Sequence, residues 1–365
     1  VGESTLYTNT TGSYNVAIGR LALYTNNNNY NTAVGYRSLR LNTSGQFNTA
    51  VGANTLDANT TASNNSAFGD GALGATTTGS NNTGIGQHAL TANTTGSQNV
   101  AVGALALNAN IAKAGNTAVG YQSLSANTSG YGSTAVGRRA LLSNNAATNV
   151  AVGNDAARNN TTGANITAIG ASALYSSNTS SGHTAVGKNA LYYNTQGSEN
   201  TAVGKTALFT NNHGANNVAV GSEALKNNTT ASNNTAVGYQ ALLENTTGTQ
   251  NTAVGRSALQ LNTTGSQNVA VGNLALNFAT TASSNTAVGY ASLGVNTTGT
   301  NNVAVGSRAL DANTTGNYNT AIGDQALTDS TEGTQNVAVG HASLFENTTG
   351  DNNTAVGTES LRNNL

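Results

Sequence analysis

The stretch Asn31-Thr32-Ala33-Val34-Gly35-Tyr36-Arg37-Ser38-Leu39, running on through Asn42-Thr43-Ser44-Gly45 to the next Asn48-Thr49-Ala50-Val51-Gly52, decides the fold. Its first five residues alternate as a strand does. A Leu follows four residues after the Gly, then an Asn- and Thr-rich corner, and the pattern begins again. The landmark glycines fall at Gly35, Gly52, Gly69, Gly86, Gly103 and Gly120 and continue to Gly357, seventeen residues apart, with two steps of sixteen, Gly19 to Gly35 and Gly137 to Gly153. A fixed period of this length marks a solenoid, in which each repeat is one coil stacked on the next. Both shortened steps lose a residue from the Asn-rich stretch, where a loop tolerates deletion.

Composition agrees with a repeat and argues against ordinary globular domains. Charged residues are 7% of the chain and aromatics 5%, against roughly 25% charged in an average globular protein. A polar chain this poor in large apolar groups would ordinarily stay disordered. Here the apolar residues keep register over the whole length, which disorder gives no reason for.

The net charge is −1 and the longest basic run is Arg138-Arg139, so there is no electrostatic footprint for nucleic acid or for an anionic membrane. No apolar run approaches the roughly 18 residues a spanning helix needs, so membrane insertion is not expected. A start at Val1 and the lack of any Met read as an interior piece of a longer fibre. The absence of Cys removes disulfides, Cys-based zinc sites and thiol catalysis. Cys, Met and Trp, the readily oxidised side chains, are all missing, which suits a long-lived extracellular object.

The columns of the repeat give an expected cross-section. The residue before the landmark Gly is Val or Ile except at Phe68, and the residue before that is Ala except at Gly84. Alternation sends Thr32 and Val34 to one face of the strand and Ala33 and Gly35 to the other. The expected core ladder is the Val and Leu columns: Val34, Leu39, Val51, Leu56, Val102, Leu107, Val237 and Leu242. Asn31, Asn48, Asn99 and Asn251 form an expected turn ladder of stacked amides. The Ala column, with Ala33, Ala50, Ala101 and Ala253, is apolar on the second face and is the candidate oligomer face. One Leu per coil cannot offset the backbone entropy of seventeen residues, so hydrogen-bond ladders, stacking and oligomerisation must supply the rest. The expectation is an all-β parallel solenoid over 1–365 as one continuous domain, one repeat per coil, with about 21 coils.

Catalytic and metal chemistry find little support. Gly204-Lys205-Thr206 has the end of a phosphate-binding loop, but Glu199 stands where its first Gly should be. His88, His183, His213 and His341 lie in different repeats without paired spacing and read as solvated turn residues. The carboxylates are scattered, and no calcium-type Gly-Asp repeat occurs. No cofactor motif is present, and an enzyme is not expected. Tyr36, Tyr121, Tyr239 and Tyr290 follow landmark glycines, and Tyr7, Tyr24, Tyr175 and Tyr192 follow the Leu column; exposed rings could stack on sugars, or simply cover corner backbone. Corner asparagines such as Asn42, Asn59, Asn93, Asn127, Asn245, Asn262, Asn313 and Asn347 head Asn-x-Ser/Thr sequons, which serve as turn residues or as glycosylation acceptors.

The strings NTAVG, NVAVG and NTAIG, at Asn31 to Gly35, Asn99 to Gly103 and Asn319 to Gly323, resemble the NSVAIG-type repeats of trimeric autotransporter adhesin heads and repeats of phage tail-fibre-domain proteins. The resemblance implies a left-handed β-roll, trimeric about the fibre axis, on a cell surface or virion. The units here are longer, with the additional residues in the Asn-Thr-Thr-Gly corner. The expected function is a non-enzymatic structural or adhesive fibre segment that pairs with its own copies and presents a repetitive surface to a cell-surface or glycan receptor. An ice-binding solenoid, a self-assembling filament subunit and a carbohydrate-processing β-helix are the alternatives; the last lacks clustered carboxylates.

Overall fold

The computed structural model describes residues 1–363. Each repeat supplies one three-residue strand, from β1 (Val16–Ile18) to β21 (Thr354–Val356), and no helix occurs among the described residues. The chain forms two compact units, Val1–Gly182 with β1 to β10 (Thr167–Ile169), and a second that begins at His183 with β11 (Thr184–Val186) and runs to β21. Within each unit consecutive strands pair in parallel, Ala on Ala: Ala33 with Ala50, and Ala253 with Ala270. The shortened coils keep this register, Val16 opposite Thr32 and Thr134 opposite Val150. The missing residue is absorbed in the corner.

The remainder of each coil is turn, yet it is hydrogen-bonded nearly as fully as the strand. Gly35 N–H and Arg37 N–H donate to Ile18 and Arg20 in the preceding coil, whereas Leu39 N–H and Leu41 N–H donate forward to Thr55 and Asp57. Ser38 N–H closes a turn on the Gly35 carbonyl. Reversing the bonding direction within four residues requires left-handed backbone, and Arg37 (φ 57°) and Leu39 (φ 50°) supply it. A left-handed Leu is disfavoured by roughly 1–2 kcal/mol. It recurs along the Leu column because the interior position and the coil-to-coil bonds depend on it. The landmark Gly is required outright: at Gly103 φ is 132°, and an added Cβ would lie 2.6 Å from the Gly120 carbonyl oxygen.

The two faces of the strand are the reverse of the sequence expectation. Ala33, Ala50, Ala101 and Ala253 are fully buried inside their own coils, together with Leu39, Leu56, Leu107 and Leu242. Val34, Val51 and Val102 are half-buried on the outer face, and Val237 is 36% exposed. The reason is space. At Gly84, where the Ala is missing, a Cβ would sit 3.2 Å from Leu73 Cγ and 3.4 Å from the Ala89 carbonyl oxygen. A methyl group fills that gap and an isopropyl group would overfill it. The Ala column is therefore core, and the Val column faces outward beside the Thr column.

Candidate functional site

Around the coil three lengthwise surfaces can be distinguished. The first is the outer face of the strands, a column of Thr, Val or Ser beside a column of Val, Ile or Phe, with no charged residue in any strand. Its β-branched side chains fit a pleated surface, and many stay open to solvent: Ile18 is 48% exposed, and Val152, Val218 and Val254 are each 37% exposed.

The second is the Asn and Thr corner, which faces inward more than its polarity suggests. Asn48 Nδ2 donates to Asn31 Oδ1 (3.2 Å) and to the Ala62 carbonyl (2.9 Å), and Asn31 Oδ1 also accepts the Asn48 N–H. Asn99 bonds Asn82 in the same way, while Asn251 gives Asn234 Oδ1 its backbone N–H and gives its Nδ2 to the Gly265 carbonyl. A second ladder runs beside the first, and the sequence reading missed it. Asn59 Nδ2 donates to Asn42 Oδ1 at 2.6 Å, and Asn245 Nδ2 to Asn228 Oδ1 at 2.9 Å. These are the sequon asparagines, and Asn42, Asn59, Asn93, Asn127, Asn245, Asn262 and Asn313 are fully buried rather than solvated. Their near-invariance from repeat to repeat was the available signal. The neighbouring Gly45, Gly96, Gly130, Gly248 and Gly316 do not occupy the left-handed region. Close packing selects them instead, since buried Ala62 and Ala231 hold the same place.

His183 is a further correction. It replaces the Asn of the first ladder, is 1% exposed, and faces Asn194 Nδ2 at 3.0 Å from its Nε2 while Nδ1 accepts the Asn200 N–H. Burial pushes its pKa down to about 4 despite the raising effect of backbone contacts at Asn200 and Gly197. His213 and His341 are exposed and His88 is half-buried.

The third surface is the edge formed by the first, second, fifth and sixth residues after each landmark Gly, the third and fourth, such as Ser38 and Leu39, being buried. Every charged residue lies there except Lys113, Glu199, Glu332 and Asp351. Charges on this edge pair between coils. Asp57 receives Arg40 Nε at 2.7 Å and Arg37 at 3.1 Å. Asp155, nearly buried, receives Arg139 Nε at 2.9 Å and Arg138 at 3.4 Å, with Arg158 at 3.8 Å. Arg158 also bonds the Tyr175 hydroxyl at 2.6 Å. Lys205 belongs to this edge, one residue after Gly204, in a strand-to-turn step like every other repeat.

Aromatic rings stack on one another. Tyr7 and Tyr24 are stacked with their ring centroids 5.2 Å apart and their planes nearly parallel, and Tyr14, Tyr30 and Phe47 form a second stack at 5.1 and 5.2 Å. Those faces are occupied by neighbouring rings, while Tyr36, Tyr121, Tyr239 and Tyr290 remain between 43% and 48% exposed. No group of His, Asp or Glu among the described residues could hold a metal ion. No helix among them is long and apolar enough to cross a membrane. No protein-family model matches the chain, and no curated protein matches it as a relative.

Proposed function

We propose that this chain is a non-enzymatic segment of an extracellular fibre, an adhesin head or tail-fibre shaft wound left-handed, that spans distance on a cell surface or virion and presents a repetitive surface to a receptor such as a glycan. The observation that carries this reading is the uncharged Thr and Val face, which runs the length of each unit. Contiguous exposed apolar surface beyond a few hundred Å² is uncommon on soluble monomers and marks association. Copies of the same chain can meet there in a homotrimer, with the charged edge left outward. This moves the oligomer face from the Ala column to the Val column. Light scattering tests it: a trimer gives three times the 36.4 kDa chain mass, and a stable monomer at micromolar concentration sinks it. A cryo-electron micrograph of the particle would give the hand.

One observation favours a second reading, an ice-binding solenoid. The Thr column, on the same side of the strand as Val, stands on the outer face, in parallel register over successive coils. Association would cover that face, so the two readings exclude each other on one surface. Thermal hysteresis from the monomeric chain would support ice binding, and its absence would remove it.

A further inference from the structure

The charged edge of the second unit opens at one place into a cavity of about 180 Å³ lined by Leu274, Asn277, Phe278, Ala291, Gly294, Val295 and Asp311. It exists because one coil lacks bulk twice on this edge. Ala291 stands where the adjacent coils carry Leu274 and Arg308, and Gly294 stands where they carry Asn277 and Asp311. The side chains of the coils on either side become walls around the gap.

The lining is apolar except at Asn277 and Asp311, and Asn277 Nδ2 is already committed to the Ser257 carbonyl and to Gln260 Oε1. Phe278 is 49% exposed and Val295 38% exposed, so both offer surface to an occupant. Asp311 leans over Gly294 so closely that a Cβ on that glycine would collide with its Oδ1. This carboxylate is half-buried, and no ion pair holds it among the described residues, unlike Asp57 and Asp155 on the corresponding edge of the first unit. Arg308, in its own coil and acting at a distance, and a backbone hydrogen bond from Gly294 favour the charged form but do not reverse the raising of its pKa by burial. A partly desolvated acid without a counter-ion, beside open apolar surface, is complementary to a cation that carries its own apolar body.

We propose that this cavity binds a small organic cation, a primary ammonium on a ring-sized apolar group, with the ammonium on Asp311 and the ring against Leu274, Phe278 and Val295. The volume fits: an apolar cavity of about 150 Å³ takes benzene. The site is independent of the Thr and Val face and of any association there.

Benzylammonium titrated into the full chain by calorimetry at neutral pH tests the assignment, with benzyl alcohol as its uncharged counterpart. Saturable binding of benzylammonium is expected, weakened by about tenfold or more in Asp311→Asn and by a similar factor for benzyl alcohol on the unmodified chain. The alcohol comparison needs no variant and so does not depend on how Asp311→Asn folds. Absence of saturable benzylammonium binding overturns the proposal, and so does equal affinity for the alcohol or an unchanged affinity in a folded Asp311→Asn chain.

Discussion

Asn262 donates its Nδ2 to Asn245 Oδ1 at 2.8 Å, but its own Oδ1 meets Ala279 in the next coil and accepts nothing. The same gap follows Asn59, Asn160 and Asn313, where Thr76, Ser177 and Ser330 replace the next ladder asparagine. Each of these orphaned oxygens is buried and marks a substituted rung; Asn110 Oδ1 is orphaned as well, although Asn127 follows it, because Asn127 Nδ2 turns to the Gly130 carbonyl.

Restoring a rung should therefore stabilise the chain. Ala279→Asn places an amide between Asn262 and Asn296, with the Ala282 carbonyl available as Ala62 is to Asn59. A net gain of about 1 kcal/mol is expected from satisfying a buried acceptor, read as a higher thermal midpoint by circular dichroism. An equal or lower midpoint would show that the ladder does not limit stability.

The sequons should be refractory in the folded chain. Asn245 Nδ2 is committed to Asn228 Oδ1 and to the Gly248 carbonyl at 3.0 Å, and a glycan on that nitrogen would break both bonds inside the coil. Chain made in a glycosylating secretory host should carry no glycan at Asn42 or Asn245 in its folded fraction, with modified chains confined to misfolded material. Intact-mass measurement on the folded fraction checks this; a folded, glycosylated Asn245 would contradict it.

His183 should make the second unit acid-sensitive. Its pKa is about 4 when folded, below the 6.5 of an exposed imidazole, so the unfolded chain binds more protons between those values and stability falls as pH falls. The contribution is complete above about pH 6.5 and is lost on going down towards pH 4, up to about 3 kcal/mol for a shift of this size. Urea unfolding of the native chain against His183→Asn, at pH 7 and pH 4.5, should show a smaller pH dependence in the variant. Equal dependence in both would place the sensitivity elsewhere.

The orientation of the strand faces predicts opposite results for adjacent residues. Val254→Lys changes the outer face and should lower the associated mass with little effect on coil stability. Ala253→Val overfills the interior and should cost about 1–3 kcal/mol whether or not chains associate. Light scattering and thermal melts separate the two effects, and a destabilised, still-assembled Val254→Lys would reverse this assignment.

Period, strand position, Leu column and first Asn ladder could be read from the sequence because each rests on spacing alone. The faces could not, because both columns of the strand are apolar or small and alternation does not say which is inside. Size was the missing clue: Ala, never replaced by a larger residue, sits opposite Leu. The left-handed Leu was hidden because its reason lies in bonds to two other coils. The second ladder was obscured by its sequence context, since Asn followed by Thr-Thr-Gly reads as an ordinary exposed turn.

The confinement of charge to one edge has an evolutionary meaning. Strand, ladder and landmark Gly are all tied into the lattice of bonds between coils, so a change there is felt by two neighbours. Residues on the edge meet solvent and one another, and they can be rewritten coil by coil without solving the folding problem again. A duplicated repeat can thus acquire its own local identity, as Asp155 with its arginines and the hollow at Gly294 have done, while the scaffold beneath stays uniform.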